Sequence, residues 1–434
     1  MKRLLVISLF FIGSIFSACY AQISGYGSFS YGYNQNPLFN YQNQSDQIKQ
    51  TYLELNYSKD YDESELRLSY VSGLMLFNQF SARNFYEHNI YGRYFLKFTK
   101  EDNDEQKSED TNGEEGNIPE GQAKEAQVEI DKEQAVEDSS DKYLDIMIKA
   151  GARHDKDLFK EFDNTGANLL LSYKFLPTES ICLRLTNDFG LRNYTYLSEL
   201  SNLTDIFTLQ VSNKFNGSYS YGLRFSAAYK YYTSTLYDTS KYESERTYTK
   251  KPGKGKGGAA TTIPSSKQIL LQPQSNGTAQ LALGLFYIKT LEGGSVETDL
   301  LYRYNPKTRT RYLAQKNDAG MNEDIYNDFF SYDGPDGRLK FSHPLFLGLQ
   351  MMAEIALTQK NFEAPALNID GEKINDHRKD LNSSIDLFIS RPVNIFGNFS
   401  LDIIAGAGYV RNQSNDNYND FSSYSFSGGI GIGI

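Results

Sequence analysis

Phe421-Ser-Ser-Tyr-Ser-Phe-Ser-Gly-Gly-Ile-Gly-Ile-Gly-Ile434 is the stretch that decides the fold class. From Ser422 onward the even positions include Tyr424, Phe426, Ile430, Ile432 and Ile434, while the odd positions from Ser423 hold only Ser or Gly. A period of two belongs to a β-strand, whose successive side chains point to opposite faces. One face here is large and apolar and the other is almost bare. Such a strand can turn its large face to lipid and crowd its small face inside a wall, as the closing strand of a membrane β-barrel does.

The other end of the chain agrees with a membrane destination. Lys2-Arg3, an apolar run from Leu4 to Phe16 and then small residues make residues 1–21 read as a signal peptide. Cleavage after Ala21, with Cys19 at the −3 position, fits better than lipidation of Cys19, because Phe16-Ser17-Ala18-Cys19 is an imperfect lipobox. No later segment approaches the roughly 18 apolar residues that a spanning helix needs. The mean hydropathy of −0.54 does not argue against a barrel, since an alternating strand hides its apolar half in the average. With 33 Tyr, 28 Phe and no Trp, interfacial aromatic girdles would be built mainly from Tyr. Only Cys182 remains beyond the signal, so no internal disulfide is available and stability must come from closing the sheet.

Alternating runs separated by turn residues predict strands near 23–33, 48–58, 64–76, 88–99, 142–153, 167–176, 179–191, 205–215, 219–232, 278–290, 295–304, 336–343, 346–360, 380–391, 398–411 and 421–434. That ladder is an all-β, transmembrane antiparallel barrel of about 16 strands, with 14 or 18 as alternatives. The connectors obey a parity. With the first strand rising from the periplasm, the inner turns at 59–63, 176–178, 216–218, 291–294, 344–345 and 392–397 are short, whereas 34–47, 192–204, 305–335 and 361–379 are longer. The insertion 101–141 breaks the pattern. It carries 16 Asp/Glu against 3 Lys, a net of −13 beside −10 for the whole chain, so nearly all the acidity of the protein sits in one tract. Such a composition cannot build a core, and the tract is expected to be disordered and periplasmic. A second insertion, 238–275, holds Lys250-Lys-Pro-Gly-Lys-Gly-Lys-Gly-Gly258 and is expected to be a flexible basic loop at the cell surface, open to the phosphates of lipopolysaccharide.

Alternation also assigns faces. Leu345, Leu347, Leu349, Met351, Ile355 and Leu357 are expected outward on the thirteenth strand, with Gln350, Glu354, Thr358 and Lys360 inward. A charge on the lipid face at mid-bilayer costs roughly 2–4 kcal/mol, so charged positions belong to the lumen. Laid out by strand, Arg67, Arg93, Lys97, Lys149, Arg153, Arg184, Arg224 and Lys230 form a basic arc. Glu297, Asp299, Glu354, Asp386 and Asp402 form an acidic one. Glu54, Asp145 and Asp188 fall within or beside the basic arc, and Arg303 and Lys360 within the acidic one. Two facing arcs would set a transverse field across a wet pore; pairing between neighbouring strands would leave the same pattern in sequence.

With its signal segment, strand parity and terminal strand, the chain resembles the broad class of bacterial outer-membrane porin-like β-barrels. The resemblance covers nearly the whole mature length and names no narrower family. It implies passive diffusion of small hydrophilic solutes or ions, an outer-membrane location in a double-membraned bacterium, and contact with outer-membrane lipid and lipopolysaccharide. It also implies reading of Tyr424, Phe426, Ile430, Ile432 and Ile434 by the barrel assembly machinery, although such chains usually end in an aromatic residue rather than Ile434. By analogy with porins of this size a homotrimer is the implied assembly. The segment 305–335 is the expected constricting loop. The competing class is a non-enzymatic barrel whose acidic tract docks a periplasmic partner in export or envelope organisation. Neither class calls for nucleic acid or a cofactor. An enzyme is disfavoured: His88, His154, His343 and His377 fall at strand ends or loops, and only His154-Asp155 offers even a fragment of a catalytic arrangement. The oxygen-rich stretches 333–337 and 416–420 read as turns before they read as Ca²⁺ sites.

Overall fold

The computed structural model describes residues 22–37, 44–61, 63–98, 142–156, 160, 163–178, 180–213, 218–234, 237–238, 243–244, 268–269, 272–273, 276–307, 329–368, 373–396, 399–417 and 419–434. The expected signal peptide 1–21, the acidic tract 101–141, most of the basic insertion 238–275 and residues 308–328 of the expected constricting loop lie outside the described residues.

Sixteen strands close into one antiparallel barrel in chain order. They are β1 Gln22–Asn34, β2 Asp46–Asp60, β3 Ser64–Phe77, β4 Phe85–Lys97, β5 Tyr143–Asp155, β6 Asn164–Phe175, β7 Ile181–Tyr194 and β8 Asn202–Asn213. Then follow β9 Tyr219–Tyr232, β10 Gly277–Leu291, β11 Gly294–Lys307, β12 Gly334–Pro344, β13 Gln350–Leu367, β14 Lys373–Phe396, β15 Phe399–Ser414 and β16 Phe421–Gly433. The 14- and 18-strand alternatives are thereby set aside. Closure is made by β16 against β1, from Tyr26 opposite Gly433 to Asn34 opposite Ser425. Beyond that ladder Gly25 and Ile434 exchange both backbone hydrogen bonds, at 3.0 and 2.9 Å. The small inner face of β16 is what permits this seam: Tyr26 lies over Gly431, where an added Cβ would stand 1.9 Å from the Tyr26 hydroxyl.

The wall has two unlike faces. Large apolar side chains such as Leu68, Ile148, Leu223, Leu300, Ile385 and Ile430 stand exposed on the outside, as the alternation requires when the solvent for that face is lipid. No apolar core fills the middle of the described barrel. Among the described residues, a buried apolar cluster of Tyr194, Leu197 and Leu200 stabilises the β7–β8 connector, where the Ser201 hydroxyl accepts the Tyr194 N–H at 3.0 Å.

Three expectations are corrected. The thirteenth strand does not begin at 346, so Leu345, Leu347 and Leu349 are not outward strand positions. Leu345 N–H donates to Leu349 O at 2.7 Å around a 3₁₀ turn, Phe346–Gly348, in which Leu347 has φ 62° and Gly348 φ 73°. Pro344 fixes its own φ and Gly348 supplies a positive one, and this turn chemistry prevails over the alternating apolar pattern. Second, β13 and β14 run to Leu367 and start at Lys373, so most of the expected connector 361–379 is strand. Its period is broken by irregular pairing at Asn361, Pro365 and Leu367, which erased the signal in sequence. Third, the root of the basic insertion is paired backbone: Tyr237–Asp238 with Gln272–Pro273, and Glu243–Ser244 with Gln268–Ile269.

Candidate functional site

Residues directly opposite one another on paired strands share a face, so register alone can sort the charged positions. Arg67 is opposite Arg93, and Lys149 is opposite Asn168. Arg184 is opposite Gln210, which is opposite Arg224; Arg224 faces Gly284 and Lys230 faces Thr278. Asp299 is opposite Arg338 and Glu297 opposite Lys340. Lys340 then meets Glu354, Glu354 meets Asp386, and Asp402 meets Gly431. Lys97 and Arg153 lie an even number of residues along the stripes of Arg93 and Lys149. All thirteen charges named above occupy one face. It is the concave face, since Arg224 on β9 reaches Asp299 on β11 across the intervening β10 at 2.6 Å. Gly284, beside Arg224 on β10, has no side chain to stand in the way.

The charges are paired more locally than two opposed arcs would require. Arg93 holds Asp145 through two hydrogen bonds of 3.0 and 3.1 Å. Arg153 holds Asp155 through two of 2.9 Å, and Arg67 pairs with Glu65. On the other side Arg303 pairs with Asp336 at 3.2 Å and Arg338 with Glu354 at 3.1 Å. Arg338 and Lys340 set positive charge between Glu297, Asp299 and Glu354, and sequence reasoning missed both. Their signal was present in the alternation Arg338-Leu-Lys340-Phe, but β12 is short and begins in a Gly/Pro turn. Lys149 sits 5.1 Å over the Tyr91 ring, Lys97 5.9 Å over Phe95 and Arg184 5.8 Å over Tyr143, so several cations rest on aromatic faces. Asp386 is exposed on the concave wall and makes no ion pair among the described residues. Asp402 is the opposite case: it is fully buried, and neither carboxylate oxygen has a hydrogen-bond partner among the described residues.

A short segment returns to the concave face. Phe329–Ser331 forms a 3₁₀ turn laid against the concave wall, where Gln280 Nε2 donates to the Phe329 carbonyl and to Asn305 Oδ1 at 3.0 Å. Arg303 stacks 5.4 Å from the Phe329 ring, Lys230 lies 5.7 Å from Phe330, and Lys360 lies 5.3 Å from Tyr332. Asn305 N–H donates to Asp333 Oδ1 at 2.6 Å. Burial pushes the Asp333 carboxyl up from its ordinary value, against the two Asn305 hydrogen bonds that pull it down, and the nearby Glu363 carboxylate adds to the rise. Beneath this turn is a cavity of about 350 Å³ lined by Arg184, Arg224, Arg303, Thr208, Ser226 and Phe329, among others. The Thr208 and Ser226 hydroxyls are 2.9 Å apart. Three guanidinium groups, a hydroxyl pair and one aromatic ring form a surface that can orient a small polar or anionic solute.

The remaining sequence candidates separate in space. His154 and Asp155 are neighbours on a strand and so point to opposite faces; Asp155 is held by Arg153, and His154 Nδ1 lies 4.0 Å from Asp163. His88 Nδ1 is 2.7 Å from the Tyr70 hydroxyl. In 333–337, Asp336 serves Arg303 and accepts the Thr358 hydroxyl at 3.1 Å. In 416–420, Asp416 accepts the Leu367 N–H at 3.1 Å and the Asn419 amide at 3.1 Å, which is turn chemistry. Sequence reasoning also missed a buried cluster near the open end of β14. Arg378 holds Asp380 with Nε 3.0 Å from both oxygens and lies 4.3 Å from the Phe362 ring, while the Ser414 hydroxyl donates to Asp380 at 2.6 Å.

No protein-family model matches the chain, and no curated protein matches it by sequence. Among solved structures, OccAB2 of Acinetobacter baumannii is similar over 95% of this chain and 98% of that one, with 9% identity and a TM-score of 0.44. OpdK of Pseudomonas aeruginosa, solved with vanillate, matches over 95% and 99% with 7% identity and a TM-score of 0.41. CdiB of Acinetobacter baumannii matches over 94% of this chain and 60% of that one, with 10% identity and a TM-score of 0.43. Likeness this distant speaks neither to solute nor to partner, and the barrel architecture stands on its own strand pairing.

Proposed function

We propose that this barrel sits in the outer membrane of a double-membraned bacterium and lets small hydrophilic solutes or ions diffuse passively through a charge-lined lumen. The observation that carries the reading is the segregation of the two faces of one closed wall. The thirteen charged positions named above stand on the concave side, and the exposed large apolar side chains of the wall, Leu68, Ile148, Leu223, Leu300, Ile385 and Ile430 among them, stand on the convex side. A sixteen-strand wall is wide enough to hold an aqueous channel. The turn at Phe329–Ser331 narrows it beside the cavity of Arg184, Arg224 and Arg303, so permeating solutes pass a cationic corner there. Diffusion needs weak contacts of this kind, since a solute must leave as readily as it enters. The reading involves no catalytic step. The outward side chains Tyr424, Phe426, Ile430, Ile432 and Ile434 would be presented to the assembly machinery as β16 closes on β1.

The deciding experiment is single-channel recording of the refolded mature barrel in a planar bilayer. Stable ohmic steps are expected. A barrel that is demonstrably folded and inserted yet passes no current would reject the channel reading.

A further inference from the structure

The six short turns at the signal-proximal end of the barrel are not alike. Those at 59–63 and 291–294 read Lys-Asp-Tyr-Asp-Glu and Leu-Glu-Gly-Gly. The turns after β12 and β14 read Pro-Leu-Phe-Leu-Gly-Leu over 344–349 and Pro-Val-Asn-Ile-Phe-Gly-Asn-Phe over 392–399, without a single charge. They also display what they carry: Phe346 is 76% exposed, Leu347 69% and Phe396 71%, with Ile395 half exposed beside them. Leu347 holds a left-handed φ of 62°, a backbone region that brings a β-carbon too close to the following carbonyl oxygen. A side chain held there and left in the open is a position spent on presentation rather than packing.

One cation belongs to the same arc. Arg391 lies on the convex face, directly opposite Ile403, among the outward stripes of Ile385, Leu387 and Ile389. It is exposed and makes no hydrogen bond or ion pair among the described residues. An arginine on a lipid-facing stripe is tolerable only where it can extend to the polar layer. A strand rises about 3.3 Å per residue and tilts by about 40° in such a wall, so the four residues from Arg391 to Ile395 span about 10 Å of depth. With the guanidinium extended toward the turns, it and the apolar tips fall within the ~5–8 Å headgroup layer on one side of a bilayer. The apolar belt is continuous down β14 and β15 to these tips, with no polar break except Arg391 itself. That continuity selects a lipid, which meets the belt already, over a protein partner.

We propose, on the outer-membrane reading above, that the turn-side rim of β12–β15 is a binding site for anionic phospholipid of the inner leaflet. Arg391 takes the lipid phosphate, and Phe346, Leu347, Ile395 and Phe396 seat in the surrounding interfacial layer. The site would anchor one side of the barrel rim at a fixed depth and recruit anionic headgroups to it.

The chain contains no Trp, so a single introduced indole reports without background. Phe346→Trp, Phe396→Trp and a mid-belt control, Ile355→Trp, are refolded into vesicles containing phospholipids brominated at defined acyl depths. Both rim indoles should be quenched, most strongly by bromines nearest the headgroup. Quenching by brominated phosphatidylglycerol should exceed that by brominated phosphatidylcholine about five-fold in relative association, and Arg391→Gln should erase that preference while leaving quenching by the zwitterionic lipid. Rim indoles with water-like emission and no quenching, while Ile355→Trp is quenched, overturn the proposal in favour of a periplasmic protein surface. Equal association of both lipids with the Arg391 protein would show that the rim does not select a net-anionic headgroup, and overturns the proposal as well. An unquenched Ile355→Trp would instead show that the outer-membrane reading itself is wrong, and the lipid site would fall with it.

Discussion

Arg224 and Asp299 offer a perturbation whose sign can be chosen. Their side chains are 32% and 36% exposed and 2.6 Å apart, and a half-wet pair of this kind contributes only about 0–1 kcal/mol to stability. Either partner can therefore be neutralised without unfolding the wall. Arg224→Gln removes the ion-pair partner of Asp299 beside the cavity, and Asp299→Asn removes that of Arg224. A cavity of about 350 Å³ has an equivalent radius of 4–5 Å, so an ion crossing it comes within ~5 Å of a lining charge. At that separation one unit charge is worth about 0.8 kcal/mol in a water-like dielectric, and roughly 0.5 kcal/mol after screening at 0.1 M salt. That term acts with opposite sign on cation and anion, so the cation-to-anion permeability ratio should rise about five-fold in Arg224→Gln, fall by a similar factor in Asp299→Asn, and return close to its starting value in the double variant. Reversal potentials in a planar bilayer under a KCl gradient measure this directly. Two single variants with unchanged conductance that shift the ratio in the same direction, or not at all, would refute the placement of this cavity on the permeation path.

Three further outcomes follow from particular contacts. Asp402→Asn removes a fully buried carboxylate that has no hydrogen-bond partner among the described residues and should stabilise the refolded barrel by about 1–3 kcal/mol in denaturant titration; a lowered midpoint would mean the charge is compensated. Gly431→Ala puts a Cβ 1.9 Å from the Tyr26 hydroxyl and 2.5 Å from its ring, so closure of β16 on β1 should weaken by about 1–3 kcal/mol, and Tyr26→Ala should restore it; equal damage in the double variant would count against this contact. Excising 101–141 should leave a folded, heat-modifiable barrel, because β4 and β5 pair from Phe85 opposite Asp155 to Lys97 opposite Tyr143 and Phe98 N–H reaches Lys142 O at 3.0 Å. Loss of folding would make the tract structural, and loss of a co-purifying periplasmic protein from an intact barrel would favour a docking role for it.

Arrangement and chemistry were legible in the chain to different depths. Alternation at period two is a local property, written into every strand by the need to match lipid on one side and water on the other, so the run of strands was legible from the residues alone, whereas Arg338, Lys340 and the convex Arg391 were not. The two faces of β16 are the clearest instance: Ile430 and Ile432 could only be outward, Gly431 and Gly433 only inward. Turn geometry was less legible, because Leu345, Leu347 and Leu349 keep the alternating pattern through a segment where Pro344 and Gly348 have already turned the backbone. What only the tertiary structure decided is which charge meets which. Arg224 finds Asp299 two strands away because β10 places a bare Gly284 between them. Arg338 and Lys340 interrupt what the sequence suggested was an acidic arc, and Phe329 settles over Arg303 because Gln280 holds its carbonyl and Asn305 holds that of Tyr332. A strand pattern says which side a residue faces, but pair partners depend on shear, on strand length and on small side chains that let long ones cross, and those are fixed only when the sheet closes on itself.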